Sequence, residues 1–245
     1  MDFRVGQPAQ YRVIPLGLDI DACPSTPGGL RHALGLAPET VLIGIVGRLC
    51  EVKNHAMALE AMAQLVEKAT VHGGAVHLVV IGDGHLANEL SAYARHLKIA
   101  EHVTFTGFRK DVLSLYEELD IVALTSLNEG TPLTLIEAMG NGRPVAATEV
   151  GGVVDILGEL QMTMNGFAVR AHGVTAPSRD TAAFAQSLQY LIERPMLRRQ
   201  MGSRGHGFVR HAFSKDRLLR DMESLYRHGS HDIKVAIGLE TGSRQ

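Results

Sequence analysis

The sequence predicts an α/β protein in which a parallel sheet carries helices on both faces. Two observations lead there. From residue 41 onward, short β-branched runs alternate with stretches whose apolar residues recur near helical spacing. Gly47, Gly82, Gly84, Gly107, Gly151 and Gly152 follow the ends of the apolar runs, where a chain turning off a strand needs unusual dihedrals or close approach to a ligand. On such sheets, ligands bind outside the carboxyl ends of the strands.

Residues 1–40 carry the thinnest signal: 11–16 reads as a strand and the Pro- and Gly-containing stretch 24–29 as a surface loop. Strands are expected at 41–46, 76–81, 103–106, 121–124 and 144–147, with helices at 54–69, 85–97, 111–117, 132–140 and 153–157. One more strand at 166–169 precedes a helical region. That region comprises 179–193, a segment opened by Pro195, and 214–227, where Ser214 is the cap and Leu218, Leu219, Met222 and Leu225 stand at core spacing. The tail 228–245 has mixed composition and is expected to be poorly ordered. The main domain is therefore placed at 41–227.

With 245 residues, of which 45% are hydrophobic, the chain can bury a sizeable core. Its 24 basic residues nearly balance 26 acidic ones, and only 5% are aromatic, so neither a basic track nor a stacking platform for nucleic acid is present. Cys23 and Cys50 follow no metal or redox spacing, and two thiols fit a reducing, cytoplasmic setting. No apolar run approaches the roughly 18 residues that cross a bilayer; peripheral membrane contact stays open. The twelve histidines include no pair with zinc-type spacing on a helix face. His85 reads as a loop residue, Met62 and Met139 as core, and Arg194, Arg198, Arg199, Arg204 and Arg210 as a solvated helical face that could meet an acidic domain or anionic lipid.

Two polar clusters carry the chemistry. In the stretch 126–139, Thr131 reads as a helix N-cap and Pro132 as the first helical residue, which puts Glu129 in the turn and Glu137 on the helix. A helix N-terminus suits phosphate and carboxylates suit hydroxyls, so a ligand with both sugar and diphosphate would satisfy the junction. The second cluster, Gly47 to Asn54, flanks one turn with Arg48 and Lys53, two cations suited to a diphosphate. Surface charge on a solvated loop is the alternative for either cluster alone. The pair after two strands of one sheet favours a site.

In order along the chain stand Val13-Ile-Pro-Leu-Gly-Leu-Asp19, Gly47-Arg-Leu-x-x-x-Lys53, Ile81-Gly-Asp-Gly84, Phe105-Thr-Gly-Phe108, Glu129-Gly-Thr-Pro-Leu-x-x-x-Glu137-Ala-Met and Gly151-Gly152. This series, across about residues 11–227, resembles the C-terminal half of glycosyltransferase family 4, retaining enzymes of the GT-B architecture. The resemblance implies a Rossmann-like, donor-binding domain for a nucleoside-diphosphate sugar such as a UDP- or GDP-sugar, with no metal or other cofactor. It gives Arg48 and Lys53 to the diphosphate, Glu129 to the sugar hydroxyls and Glu137 to the ribose. Backbone around Gly130, Thr131, Pro132 and Leu133 would contact sugar and phosphate, with Gly47 lining the turn and backbone near Phe108 and Arg109 reaching the base.

Asp19-Ile-Asp21 imitates a metal-binding Asp-x-Asp signature, but falls in the segment resembling the interdomain linker, expected away from the strand ends. The two glutamates fit a hydrolase dyad poorly, because Glu137 on the second helical turn suits a ribose better than a glycosidic oxygen. The family's complete enzymes place another Rossmann-like domain first, with most of the acceptor site. That half has no counterpart here, so the expectation is a chain that binds donor but transfers sugar poorly without a further domain or partner chain. Leu16 also stands where the family often has Asn. A sugar-nucleotide epimerase, a phosphorylase and a non-catalytic nucleotide-sugar-binding module are the competing readings.

Overall fold

The computed structural model describes residues 11–20, 29–72 and 75–236. After a short helix α1 (Leu30–Ala33), strands β1 (Val41–Val46), β2 (Val76–Ile81), β3 (Val103–Gly107), β4 (Ile121–Leu124) and β5 (Val145–Thr148) alternate with helices. These are α2 (His55–His72), α3 (Ala87–His96), α4 (Val112–Tyr116) and α5 (Leu133–Gly140), with α6 (Val153–Leu157) after β5. Three short strands follow, β6 (Leu160–Met164), β7 (Phe167–Arg170) and β8 (Gly173–Ala176). Helices α7 (Thr181–Ile192), α8 (Pro195–Ala212) and α9 (Lys215–Ala236) complete the described chain.

All eight strands join one sheet in the order β3-β2-β1-β4-β5-β8-β7-β6. The six from β3 to β8 run parallel, while at one edge β7 is added antiparallel to β8 and β6 antiparallel to β7. Strand order reverses between β1 and β4, the place where open α/β sheets form a ligand crevice at their carboxyl ends. Alternation along β1 shows why both faces need cover: Ile43 and Ile45 pack with α2 and α7, and Leu42 with α4 and α5.

Four local differences from expectation have physical causes. Residues 11–17 form no strand: the segment docks at the junction of α8 and α9, where Leu18 N–H donates to Phe213 O at 2.8 Å, Lys215 N–H donates to Leu18 O at 2.9 Å, and Arg217 donates to the carbonyls of Pro15 and Leu16. Strands β6 and β8 were not expected. β6 is an exposed edge that mixes Gln and Thr with Leu and Met, and β8 is four small residues too short for a pattern. Asp180, accepting from Ala183 N–H at 2.9 Å, caps α7, which starts at Thr181, two residues later than expected. Helix α9, capped at Ser214 Oγ by Arg217 N–H as expected, continues to Ala236 instead of fraying at 228. The stretch 24–28, Cys23, Asp21 and residues 237–245 lie outside the described residues.

Candidate functional site

After β1 the chain turns through Gly47 and Arg48, enters a single 3-10 turn at Glu51–Lys53, and closes with Asn54 in the left-handed region at φ 46° before α2. Leu49 anchors the turn from below, buried, with its N–H donating to Asp83 O at 2.9 Å. A Cβ on Gly47 would stand 3.9 Å from Lys53 Cε, so the lysine stem folds back over the glycine. Arg48 is exposed, and its side chain makes no hydrogen bond or ion pair among the described residues, which leaves the guanidinium available to an anion.

The turn after β4 is tied to this one at three points. Leu127 N–H donates to Val52 O at 2.7 Å, and Thr125 Oγ1 donates to Lys53 O at 3.0 Å. The third tie is an ion pair: Lys53 Nζ lies 2.6 Å from Glu129 Oε1, and Ser126 Oγ donates to the same oxygen at 2.6 Å. The Glu129 side chain is only 10% exposed and that of Lys53 25%, so the pair is partly desolvated and its geometry restrained.

Behind Glu129 lies the Gly151-Gly152 pair that opens α6. Gly151 has φ 48°, and a Cβ there would come within 1.7 Å of Glu129 O. Gly152 N–H donates to Gly130 O at 3.2 Å. Only glycine allows this backbone-to-backbone approach, which fixes the floor under Glu129. Thr148 Oγ1, donating to Ser126 O at 2.6 Å, braces the same turn from β5.

Helix α5 begins one residue later than expected. Pro132 is the N-cap, with ψ 90°, and Thr131 is an exposed residue of the turn that caps nothing. Proline has no side-chain acceptor, so no side chain caps α5: the Leu135 and Ile136 amides turn back to Pro132 O at 3.0 and 3.3 Å, and those of Leu133 and Thr134 make no hydrogen bond among the described residues. Gly130 stands beside open space, Leu133 is 46% exposed, and Thr134 Oγ1 donates to Val46 O at 3.3 Å, tying α5 to the end of β1. The result is an open helix N-terminus facing Lys53 across the turn, a place where an anion is favoured.

Glu137 sits on the second turn of α5, half-buried. Its Oε2 accepts from the Tyr116 hydroxyl at 2.9 Å, and burial pushes its pKa above the ordinary carboxylate value while that hydrogen bond opposes the rise. Glu137 lines an apolar groove of about 180 Å³ whose other walls include Leu18, Ile20, Leu113 and Ile136. Asp19 also lines this groove, so the segment expected away from the site reaches its rim, with Lys215 Nζ 3.9 Å from the Asp19 carboxylate. Among the described residues no group of three His, Cys, Asp or Glu could hold a metal ion.

Phe108 and Arg109 follow β3, two strands from β1. Phe108 is 71% exposed. The Arg109 guanidinium is gripped by Asp111 at 2.8 and 2.5 Å, which commits that side chain locally and leaves backbone as the part free to meet a ligand. His85 pairs with Glu51 on the surface, in keeping with its reading as a loop residue. The arginine run is not merely a solvated face: Arg198 is half-buried and donates to the Leu191 and Ile192 carbonyls at 2.8 and 2.7 Å, closing the end of α7, while Arg194 stacks over Tyr190.

Gly47, Arg48, Lys53, Glu129, Gly130, Thr131, Pro132, Leu133 and Glu137 thus gather around the β1 and β4 strand ends. Sequence reasoning missed Ser126, Thr125, Thr148 and Tyr116. Ser126, three residues before Glu129, carried a local signal. Tyr116, twenty-one residues from Glu137, carried none.

Comparison with known proteins gives the family. The family model "Glycosyl transferases group 1" matches residues 30–208. A D-inositol 3-phosphate glycosyltransferase of Actinosynnema mirum is 30% identical over 229 residues, 89% of this chain and 52% of that protein. The UDP-Gal:alpha-D-GlcNAc-diphosphoundecaprenol alpha-1,3-galactosyltransferase of Escherichia coli is 30% identical over 149 residues, 59% of this chain and 38% of its own length. Among solved structures, Anabaena Alr3699/HepE in complex with UDP and glucose superposes with a TM-score of 0.74 at 24% identity, covering 88% of this chain and 57% of that one. The chain spans about half the length of such relatives or less. No helix among the described residues is long and apolar enough to cross a membrane. With the family model covering most of its length and the family's fold in place, this chain belongs to the glycosyl transferases of group 1.

Proposed function

We propose that this chain is the donor-binding half of a retaining glycosyltransferase that takes its sugar from a nucleoside diphosphate, with the acceptor wall supplied by residues outside this sequence. The observation that carries the reading is the Lys53–Glu129 ion pair, set at the sheet's switch point beside the open N-terminus of α5. A lysine has three N–H groups; one goes to Glu129 and two remain for phosphate oxygens. As the bond from the anomeric carbon to the diphosphate breaks, negative charge grows on the departing group. Lys53, Arg48 and the amides of α5 stabilise that charge without needing a divalent ion, so they bind the transition state more tightly than the donor. Glu129, held by Lys53 and Ser126, takes the hydroxyls of the donor sugar, and Glu137 those of the ribose. Family 4 membership and retention of configuration rest on the resemblance carried by the motif series, and the half-length match supports an acceptor wall outside this sequence. The E. coli relative's UDP-galactose donor makes a UDP-sugar the first candidate. Cys50, a free thiol, fits a cytoplasmic setting.

Calorimetric titration of the chain with UDP, GDP and ADP in the presence of a chelator tests the reading. One nucleotide should bind preferentially, and Glu137→Ala should weaken it. Equal binding by wild type and variant would place the nucleotide elsewhere.

A further inference from the structure

Tyr116 is the last residue of α4, fully buried, and belongs to the apolar cluster that includes Leu115, Leu119 and Val122. Its hydroxyl donates to Glu137 Oε2 at 2.9 Å. Burial and the neighbouring carboxylate both push the phenol's pKa well above its ordinary value, so it keeps its proton and acts only as donor in this contact. Among the described residues no other group hydrogen-bonds to the Glu137 carboxylate, so Oε1 has no partner there, and Glu137 lines the same groove as Leu113 of helix α4.

A glutamate on a helix surface samples several rotamers and loses that freedom when a ligand orders it. Here the cost is met beforehand, because a rigid ring fixed in the core holds one oxygen and aims the other.

We propose that Tyr116 is a positioning residue for the nucleotide: its hydroxyl pins Glu137 so that Oε1 meets a ribose hydroxyl. This rests on the donor-site reading of Glu137. Tyr116 touches no substrate and acts wholly through the carboxylate. Two consequences follow. Discrimination between ribose and deoxyribose depends on a residue outside the nucleotide's reach. The hydrogen bond also helps keep Glu137 ionised against burial, so its removal raises the pH at which nucleotide binding reaches full strength.

The test uses the nucleoside diphosphate that binds tightest among UDP, GDP and ADP, with its 2′-deoxy and 3′-deoxy forms, titrated into wild type, Tyr116→Phe and Glu137→Gln from acid to neutral pH. Tyr116→Phe keeps the ring and its packing, and a melting curve checks that it folds. Wild type should prefer the ribonucleotide by about tenfold, the scale of one hydrogen bond to a charged group. Tyr116→Phe should lose most of that preference, and the acid limb of its affinity should move to higher pH. Should it keep both the preference and the limb while Glu137→Gln loses the preference, Tyr116 is core packing and the proposal fails alone. Should Glu137→Gln keep the preference too, or should no nucleotide bind wild type, the donor-site reading fails and the proposal with it.

Discussion

Lys53 Nζ and Glu129 Oε1 stand 2.6 Å apart, joining the turn after β1 to the turn after β4 across the point where strand order reverses. Each turn thereby restrains the other, and both sequence clusters become one site.

Lys53→Ala leaves a Glu129 carboxylate that is 10% exposed with Ser126 as its remaining side-chain partner. Losing a charged partner at a partly buried site costs about 1–3 kcal/mol, visible in urea unfolding. Affinity for a nucleoside diphosphate should fall by tenfold or more, while affinity for the bare nucleoside should change little. Comparing the two ligands separates a lost phosphate contact from a distorted turn.

Gly151→Ala should disturb Glu129 from behind. Its Cβ would meet Glu129 O at 1.7 Å at a backbone φ of 48°, so the turn must shift, at about 2 kcal/mol or more. Gly207, exposed within α8, has nothing within 4 Å of an added Cβ. There alanine should stabilise by about 0.5–1 kcal/mol. Paired thermal melts check both signs.

Acid should destabilise the fold through His55. This side chain is 3% exposed with neither ring nitrogen hydrogen-bonded among the described residues, and burial with nearby Lys53 lowers its pKa from 6.5 to about 4. The folded chain holds the neutral imidazole, so the contribution is full above pH 6.5 and is lost as pH falls toward about 4. Its size is about 3 kcal/mol. His77, also lowered by burial, acts in the same sense. Unfolding at neutral and acid pH should show the drop, and His55→Phe should flatten it.

Glu137→Gln should reveal a conflict between stability and binding. Burial raises the Glu137 pKa, so the fold favours the neutral acid, and stability from this group is lost as pH rises through that value. At neutral pH the glutamine variant should therefore melt no lower than wild type while binding nucleotide more weakly. A lower melting temperature together with unchanged affinity would assign Glu137 to structure.

The sheet from β1 to β5 was legible because its apolar runs are bounded by glycine turns, and the two site clusters because each occupies one continuous stretch. What escaped depends on pairing across distance. β6 becomes a strand through its pairing with β7, and β8 through its pairings with β5 and β7, while residues 11–17 spend their carbonyls on the α8–α9 junction. Thr131 resembles a cap by residue type, yet tertiary ties on both sides of the turn set the helix start at Leu133. The Tyr116 contact joins the helices that precede and follow β4 in the chain, which no local spacing encodes. The competition of Asp111 for Arg109 could have been read, since opposite charges two residues apart in a turn pair readily.

The most direct measurement is a crystal structure of this chain grown with its preferred nucleoside diphosphate. The diphosphate should lie over the first amides of α5 within reach of Lys53 Nζ and Arg48, with a ribose hydroxyl on Glu137 Oε1. A nucleotide bound away from the β1 and β4 strand ends, with Glu129 and Glu137 untouched, would contradict the assignment.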